Sequence, residues 1–173
     1  MKLSRRDTLG LLGAGFGFAA VSGGAIPAAR AQEAAGPVLH EIKMLNKSSS
    51  DPKEIMVFEP DLVRAMPGDR IKFLATDKSH SASTMKDLIP EGAEPFRSAI
   101  NEELEYEFTV DGAYAIQCTP HMAMGMVMLV LVGDVSGNYD AVKEARQRGK
   151  AKDRFEDIFA RADALLAAEA ATG

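Results

Sequence analysis

Cysteine occurs once in this 173-residue chain, at Cys118, and histidine three times, at His40, His80 and His121. A single thiol rules out an intramolecular disulfide. In an oxidising compartment it is also a liability unless it is buried or occupied, so Cys118 calls for a ligand. A basic excess is missing as well: 20 Lys and Arg stand against 25 Asp and Glu, a formal charge of −5. That balance argues against a nucleic-acid binder. Long apolar runs are lacking. The N-terminal one, Leu9 to Val21, is interrupted by Gly10, Gly13, Gly15 and Gly17, and is too short and glycine-rich to span a bilayer.

What is present begins with a targeting segment over residues 1–31. Arg5-Arg6 precedes the apolar stretch, and Ala29-Arg30-Ala31 places small residues two apart, the form of a signal-peptidase site. Ser4 before the arginine pair gives a twin-arginine-like export signal. An ordinary secretory leader with two chance arginines is the alternative. Either reading predicts a periplasmic protein, cleaved to a single domain over 32–173 that is not inserted in the membrane. The leader carries Lys2, Arg5, Arg6 and Arg30 against Asp7, so its loss leaves the remainder three charges more acidic.

After a short flexible start (Gln32 to Pro37), the pattern is of short strands separated by turn residues, as in a sandwich or barrel. Arg70 to Ala75 alternates, with Ile71, Phe73 and Ala75 on one face, and follows the turn signal Met66-Pro67-Gly68-Asp69. Glu105 to Val110 alternates too: Tyr106, Phe108 and Val110 inward, Glu105, Glu107 and Thr109 outward. Asp111-Gly112 is expected to turn this strand into Ala113–Cys118 as a hairpin. Met126 to Val132 is apolar throughout, and its β-branched residues and the following Gly133 favour a buried strand. Two stretches read as loops, Asn46–Lys53 and Ile89–Pro95. The C-terminal part is helical: about 139–148, with Asn138 as N-cap and Gly149 as stop, and about 153–169. The second helix aligns Phe155, Ile158, Phe159, Ala162, Leu165 and Leu166 on one face. With no core of their own, both helices are expected to pack on the sandwich.

The stretch from Cys118 to Met126, Cys-Thr-Pro-His-Met-Ala-Met-Gly-Met, holds a thiolate, an imidazole and a thioether within nine residues on the turn between two predicted strands. Soft sulfur ligands combined with imidazole select copper, and a trigonal His-His-Cys set with a weak axial Met suits both Cu(I) and Cu(II). A trigonal set needs a second imidazole. His80 follows a predicted strand directly, whereas His40 lies near the start of the first strand beside no other ligand type and reads as a half-exposed strand residue.

Met44–Lys47, Met56–Pro60, Pro67–Asp69, Asp87–Glu94 and Cys118–Met126 together resemble the pseudoazurins, which are bacterial cupredoxins. The resemblance covers nearly all of 32–173, including the two C-terminal helices. It implies a mainly β fold, an eight-stranded cupredoxin-like Greek-key β-sandwich with two C-terminal α-helices. It implies one type 1 (blue) copper ion held by His80, Cys118, His121 and Met126, with Met126 preferred to the nearby Met124 by its flanks. It also implies single-electron transfer as a monomer between periplasmic redox proteins, with a cytochrome-type donor and a nitrite reductase-like acceptor. The chain departs from the family pattern at Ser81, where an asparagine bracing the Cys loop is usual, and in a longer Lys47–Lys53 loop. Asn46 is retained. Met56, Pro120 and Met122 are expected as an apolar patch around His121, with Lys47, Lys78, Lys86 and Arg97 as a basic rim.

Three rival readings are weaker. A multicopper enzyme needs more histidines than the one to spare. A copper-delivery protein would expose its ligands, whereas these are spread over two strands. A thiol protease would need an orienting Asn or Asp and would leave Met126 without a task.

Overall fold

A computed structural model describes residues 36–172. The export leader expected over residues 1–31 and the first residues after it lie outside this range. The described chain forms eight strands: β1 Leu39–Lys47, β2 Ile55–Glu59, β3 Leu62–Ala65, β4 Arg70–Leu74, β5 Ser83–Thr84, β6 Leu104–Glu107, β7 Gly112–Gln117 and β8 Val127–Val132. A short 3-10 helix, Thr119–Met124, joins β7 to β8, and two α-helices follow, α1 Tyr139–Glu144 and α2 Lys150–Thr172.

The strands make two four-stranded sheets, ordered β2-β1-β4-β6 and β3-β8-β7-β5. β1 pairs with β4 in parallel and β3 with β8 in parallel; the remaining pairs are antiparallel. This is the mainly β cupredoxin sandwich expected from the resemblance. Between the sheets lie Ile42 and Met44 of β1, Ile71 and Phe73 of β4, Tyr114 and Ile116 of β7, and Met128, Val130 and Val132 of β8. Phe58, Phe73, Phe96, Tyr106, Phe108 and Tyr114 run through this layer as a chain of ring contacts at 4.7–5.8 Å, within the range where aromatic pairs attract. The opposite faces of β7 and β8, with Ala113, Ala115, Leu129 and Leu131, pack on Phe155, Ile158, Phe159 and Ala162 of α2 and on Tyr139 and Val142 of α1. The four apolar α2 residues are buried as expected, and Leu165 and Leu166 are partly so.

Three local expectations are corrected. Asp111-Gly112 does not make a hairpin: β6 bonds to β4 in one sheet, and β7 bonds to β8 and β5 in the other. The chain crosses between sheets here, with Gly112 at φ +136° and so tightly held that a Cβ would lie 2.5 Å from Pro90 Cγ. Glycine is used for close approach, not for a two-residue turn. Asn138 precedes α1 but does not cap it with its side chain. Its Oδ1 accepts from Ala113 N at 2.7 Å and its Nδ2 donates to Ala113 O at 2.8 Å, so the amide pairs with β7 as a neighbouring strand would. Finally, α1 ends at Glu144 and not near 148, because Ala145 leaves the helical region with ψ 127°.

Candidate metal centre

Three donor atoms converge at one end of the sandwich. β4 ends at Leu74, and the loop that follows carries His80, pinned from several directions. Asp77 N donates to Met44 O, Asn101 N donates to His80 O at 2.8 Å, and Ser79 N donates to Asn101 Oδ1 at 2.6 Å. Asn46, at the end of β1, presents its Oδ1 to His80 Nε2 at 3.1 Å. An amide oxygen can only accept, so Nε2 carries the proton and Nδ1 keeps its lone pair. That Nδ1 lies 3.7 Å from Cys118 Sγ.

Cys118 follows β7 immediately. The loop it opens closes on itself: Cys118 N donates to Met126 O at 3.0 Å, His121 N to Cys118 O at 3.0 Å, and Met126 N to His121 O at 3.2 Å. Gly125 ends the 3-10 helix in the left-handed region at φ 89°, a conformation glycine adopts without strain. The turn brings His121 Nδ1 to 3.5 Å from Sγ and 3.2 Å from His80 Nδ1. His80, Cys118, His121 form the one such donor cluster among the described residues. His40 is elsewhere, 3.4 Å from Asp69, in keeping with the strand role expected for it.

The spacing suits a metal. Bonds of about 2.0 Å to nitrogen and about 2.3 Å to sulfur in a planar trigonal set separate nitrogens by about 3.5 Å, and nitrogen from sulfur by about 3.7 Å. The observed separations fall close to these values. Electrostatics agree. Burial pushes the Cys118 thiol up, opposed by the N–H groups of Ser81 and His121. Burial also pushes the His80 imidazolium down, aided by His121 and opposed by Asp77. The imidazole is thus held in its neutral, ligating form, and a bound cation would ionise the thiol. A thiol held up in this way is a poor nucleophile, and among the described residues no carboxylate is hydrogen-bonded to His121 to orient it as a protease would require.

Burial separates the two methionine candidates. Met126 is fully buried, in the same apolar layer as Cys118. Met124 is partly exposed and lines a groove with Lys53, Ile55, Lys150 and Asp153, against the start of α2. His80 is also fully buried, and His121 alone of the three clustered donors reaches the surface. Sequence reasoning passed over Asp77 and Asn101, which shape the His80 loop. Asn101 sits at φ 67°, a conformation asparagine tolerates better than most residues, but its sequence context gives no sign of this.

The family model of copper binding proteins of the plastocyanin/azurin family matches residues 43–133. The chain is 50% identical over 117 residues to a pseudoazurin of Paracoccus pantotrophus, an alignment covering 68% of this chain and 79% of that protein. This chain belongs to the pseudoazurins, within the plastocyanin/azurin family. Pseudoazurin structures from Methylobacterium extorquens AM1 (41% identical, TM-score 0.67, covering 71% of this chain and 98% of that one) and Hyphomicrobium denitrificans (37% identical, TM-score 0.67, covering 72% and 98%) share its fold. As a pseudoazurin it is a copper electron-transfer protein. Copper supplies a one-electron couple, and the two imidazoles and the thiol have the donor chemistry that couple requires.

Proposed function

We propose that His80, Cys118, His121 and Met126 hold the copper, and that the protein carries single electrons between periplasmic redox partners after residues 1–31 are removed. The observation that carries the ligand reading is the mutual spacing of His80 Nδ1, Cys118 Sγ and His121 Nδ1, between 3.2 and 3.7 Å. The donors come from loops hydrogen-bonded to both sheets, a framework that limits how far they can move when the metal changes oxidation state. Such preorganisation keeps the rearrangement on electron transfer small. Two of the three clustered donors are wholly buried, which favours a carrier over a copper-delivery protein with readily exchanged ligands.

Electrons pass through the exposed edge of His121. Pro120 beside it is exposed, and Met56 and Met122 are partly so, supplying apolar contact area. Lys47, Lys78, Lys86 and Arg97 are exposed and make no ion pair among the described residues, leaving them to steer an acidic partner. The acceptor proposed is a nitrite reductase-like protein and the donor a cytochrome, with this chain acting as a monomer. No helix among the described residues is long and apolar enough to cross a membrane.

Adding Cu(II) to the protein is expected to give an intense visible sulfur-to-copper band and narrow copper hyperfine splitting. Cys118→Ser should abolish the band. An unchanged spectrum in that variant would remove Cys118 from the metal and end this reading.

A further inference from the structure

The segment between β5 and β6 runs back along the stretch that carries His80. Thr84 N donates to Phe96 O at 3.0 Å, Ser98 N to Ala82 O at 2.9 Å and Asn101 N to His80 O at 2.8 Å. Along the His80 side each bond lies two residues from the last. Along the other side the step from Phe96 to Ser98 is also two residues, but the step from Ser98 to Asn101 is three. One residue is therefore extra, as in a β-bulge, a device that re-aims side chains beside functional sites. Ile100 at the bulge is 57% exposed, and Asn101 takes the left-handed region at φ 67°. Its Oδ1 accepts from Ser79 N at 2.6 Å, and Ser79 is left-handed too, at φ 76°. A serine stays in that conformation only where its surroundings impose it. One exposed asparagine thus holds both peptide groups that bracket the fully buried His80, the N–H of the residue before it and its own carbonyl.

We propose that Asn101 is a positioning residue for His80, a clamp whose two bonds set where the imidazole stands relative to Cys118 and His121. This rests on the reading of His80 as a copper ligand. Asn46 of β1 already holds the ring at Nε2, so the backbone is the remaining way for the ligand to shift. Asn101, on the approach to β6, closes that way by bonding on both sides of the His80 Cα. The Oδ1 bond keeps the Ser79 amide turned as a left-handed backbone requires. Without it Ser79 relaxes toward negative φ, and the His80 Cα turns with it. A metal tolerates little such movement, since ligand distances hold within about 0.2 Å. Groups behind the ligands that fix their orientation commonly account for roughly 10–100-fold in metal affinity.

The test compares wild type with Asn101→Gly and Asn101→Asp, metal-free and copper-loaded. Glycine keeps the N–H to His80 O and takes φ 67° without strain, so this exposed variant is expected to fold, but it lacks the side-chain acceptor. Aspartate restores an acceptor at the same place and tolerates the left-handed backbone. In the metal-free protein, amide hydrogen exchange at Ser79, read by NMR, is expected to quicken about tenfold in Asn101→Gly, as loss of one hydrogen bond allows. In the loaded protein, transfer of copper to a chelator should quicken by about tenfold or more, and the copper hyperfine splitting should change. Asn101→Asp should stay near wild type in all three measurements. Wild-type exchange in Asn101→Gly overturns the proposal, as does faster exchange with unchanged copper retention and splitting. An aspartate variant displaced as far as the glycine one overturns it too. A wild-type protein lacking any Cys118-dependent band overturns instead the copper reading beneath it, while the metal-free exchange still judges the clamp.

Discussion

The two sheets have four strands each but meet their surroundings differently. In the sheet β2-β1-β4-β6 one face looks inward and the other carries charge: Arg70 pairs with Glu105 at 2.8 Å and Lys72 with Glu103 at 3.2 Å, all part of the outer surface. Its sequence alternates accordingly, as Ile71 and Phe73 do between Arg70, Lys72 and Leu74. In the sheet β3-β8-β7-β5, the helices cover the second face, and every residue of β8 is buried. A strand buried on both sides has no reason to alternate, so it appears as an unbroken apolar run. The copper centre sits where the two kinds of sheet meet. Cys118 and Met126 flank the doubly covered strands, and His80 follows a strand of the half-open sheet.

The largest effects that would test this contrast lie under the helices. Ile158 of α2 is fully buried against the outer face of β7 and β8, so Ile158→Ala is expected to cost about 2–5 kcal/mol in denaturant unfolding. Lys72→Ala, on the outer face of the other sheet, should cost less than about 1 kcal/mol. Comparable losses at the two sites would mean that the helices are not a structural layer of the second sheet.

A smaller effect concerns the start of the two central strands of the half-open sheet, β1 and β4. Asp69 Oδ1 accepts from Val38 N at 2.7 Å and Oδ2 from Met66 N at 2.8 Å. Burial pushes its carboxyl up, but these two bonds and His40 outweigh that and hold it below the usual carboxylate range. A folded-state value below the unfolded one contributes stability above about pH 4, and this is lost as pH falls through the folded-state value. Asp69→Asn can offer an acceptor to only one of the two N–H groups, so it should cost about 1–3 kcal/mol at neutral pH. Its urea midpoint should also fall less on acidification below pH 4 than that of wild type. Parallel acid profiles would show that Asp69 does not anchor the start of β1.

Smaller still in stability, but visible in the metal, is Gly125→Ala. At φ 89°, a Cβ here would lie 3.0 Å from Lys150 O and 3.3 Å from Lys150 C, against the first residue of α2. The strain should cost about 1–2 kcal/mol and displace Met126, altering the visible and paramagnetic spectra. Gly149→Ala also takes a positive φ, 58°, but meets open space, and should leave the spectra unchanged. Identical spectra in the two variants would show that contact with α2 does not position the loop.

The residues made much of the centre legible because the ligand loop is local. Cys118, His121 and Met126 are close in sequence, and a 3-10 turn with Gly125 at its end suffices to gather them. His80 could be singled out because so few histidines exist, and Asn46 because it stands where pseudoazurins keep an asparagine. The hairpin at Asp111-Gly112 was misjudged for the opposite reason. Turn chemistry is a property of adjacent residues, whereas the sheet a strand joins depends on partners far along the chain. Asn138 illustrates the same limit, since an amide before a helix can cap it or bond a strand that folds beside it.

Chain chemistry alone therefore determined the strand-rich class, the amphipathic face of α2 and the choice of copper, since these rest on side-chain type and short spacing. Tertiary structure alone decided the crossing at Gly112, the pairing of the Asn138 amide with β7, and the convergence of His80 on the loop that carries Cys118. Each of these depends on which distant groups arrive within a few ångströms, and local sequence carries no record of that.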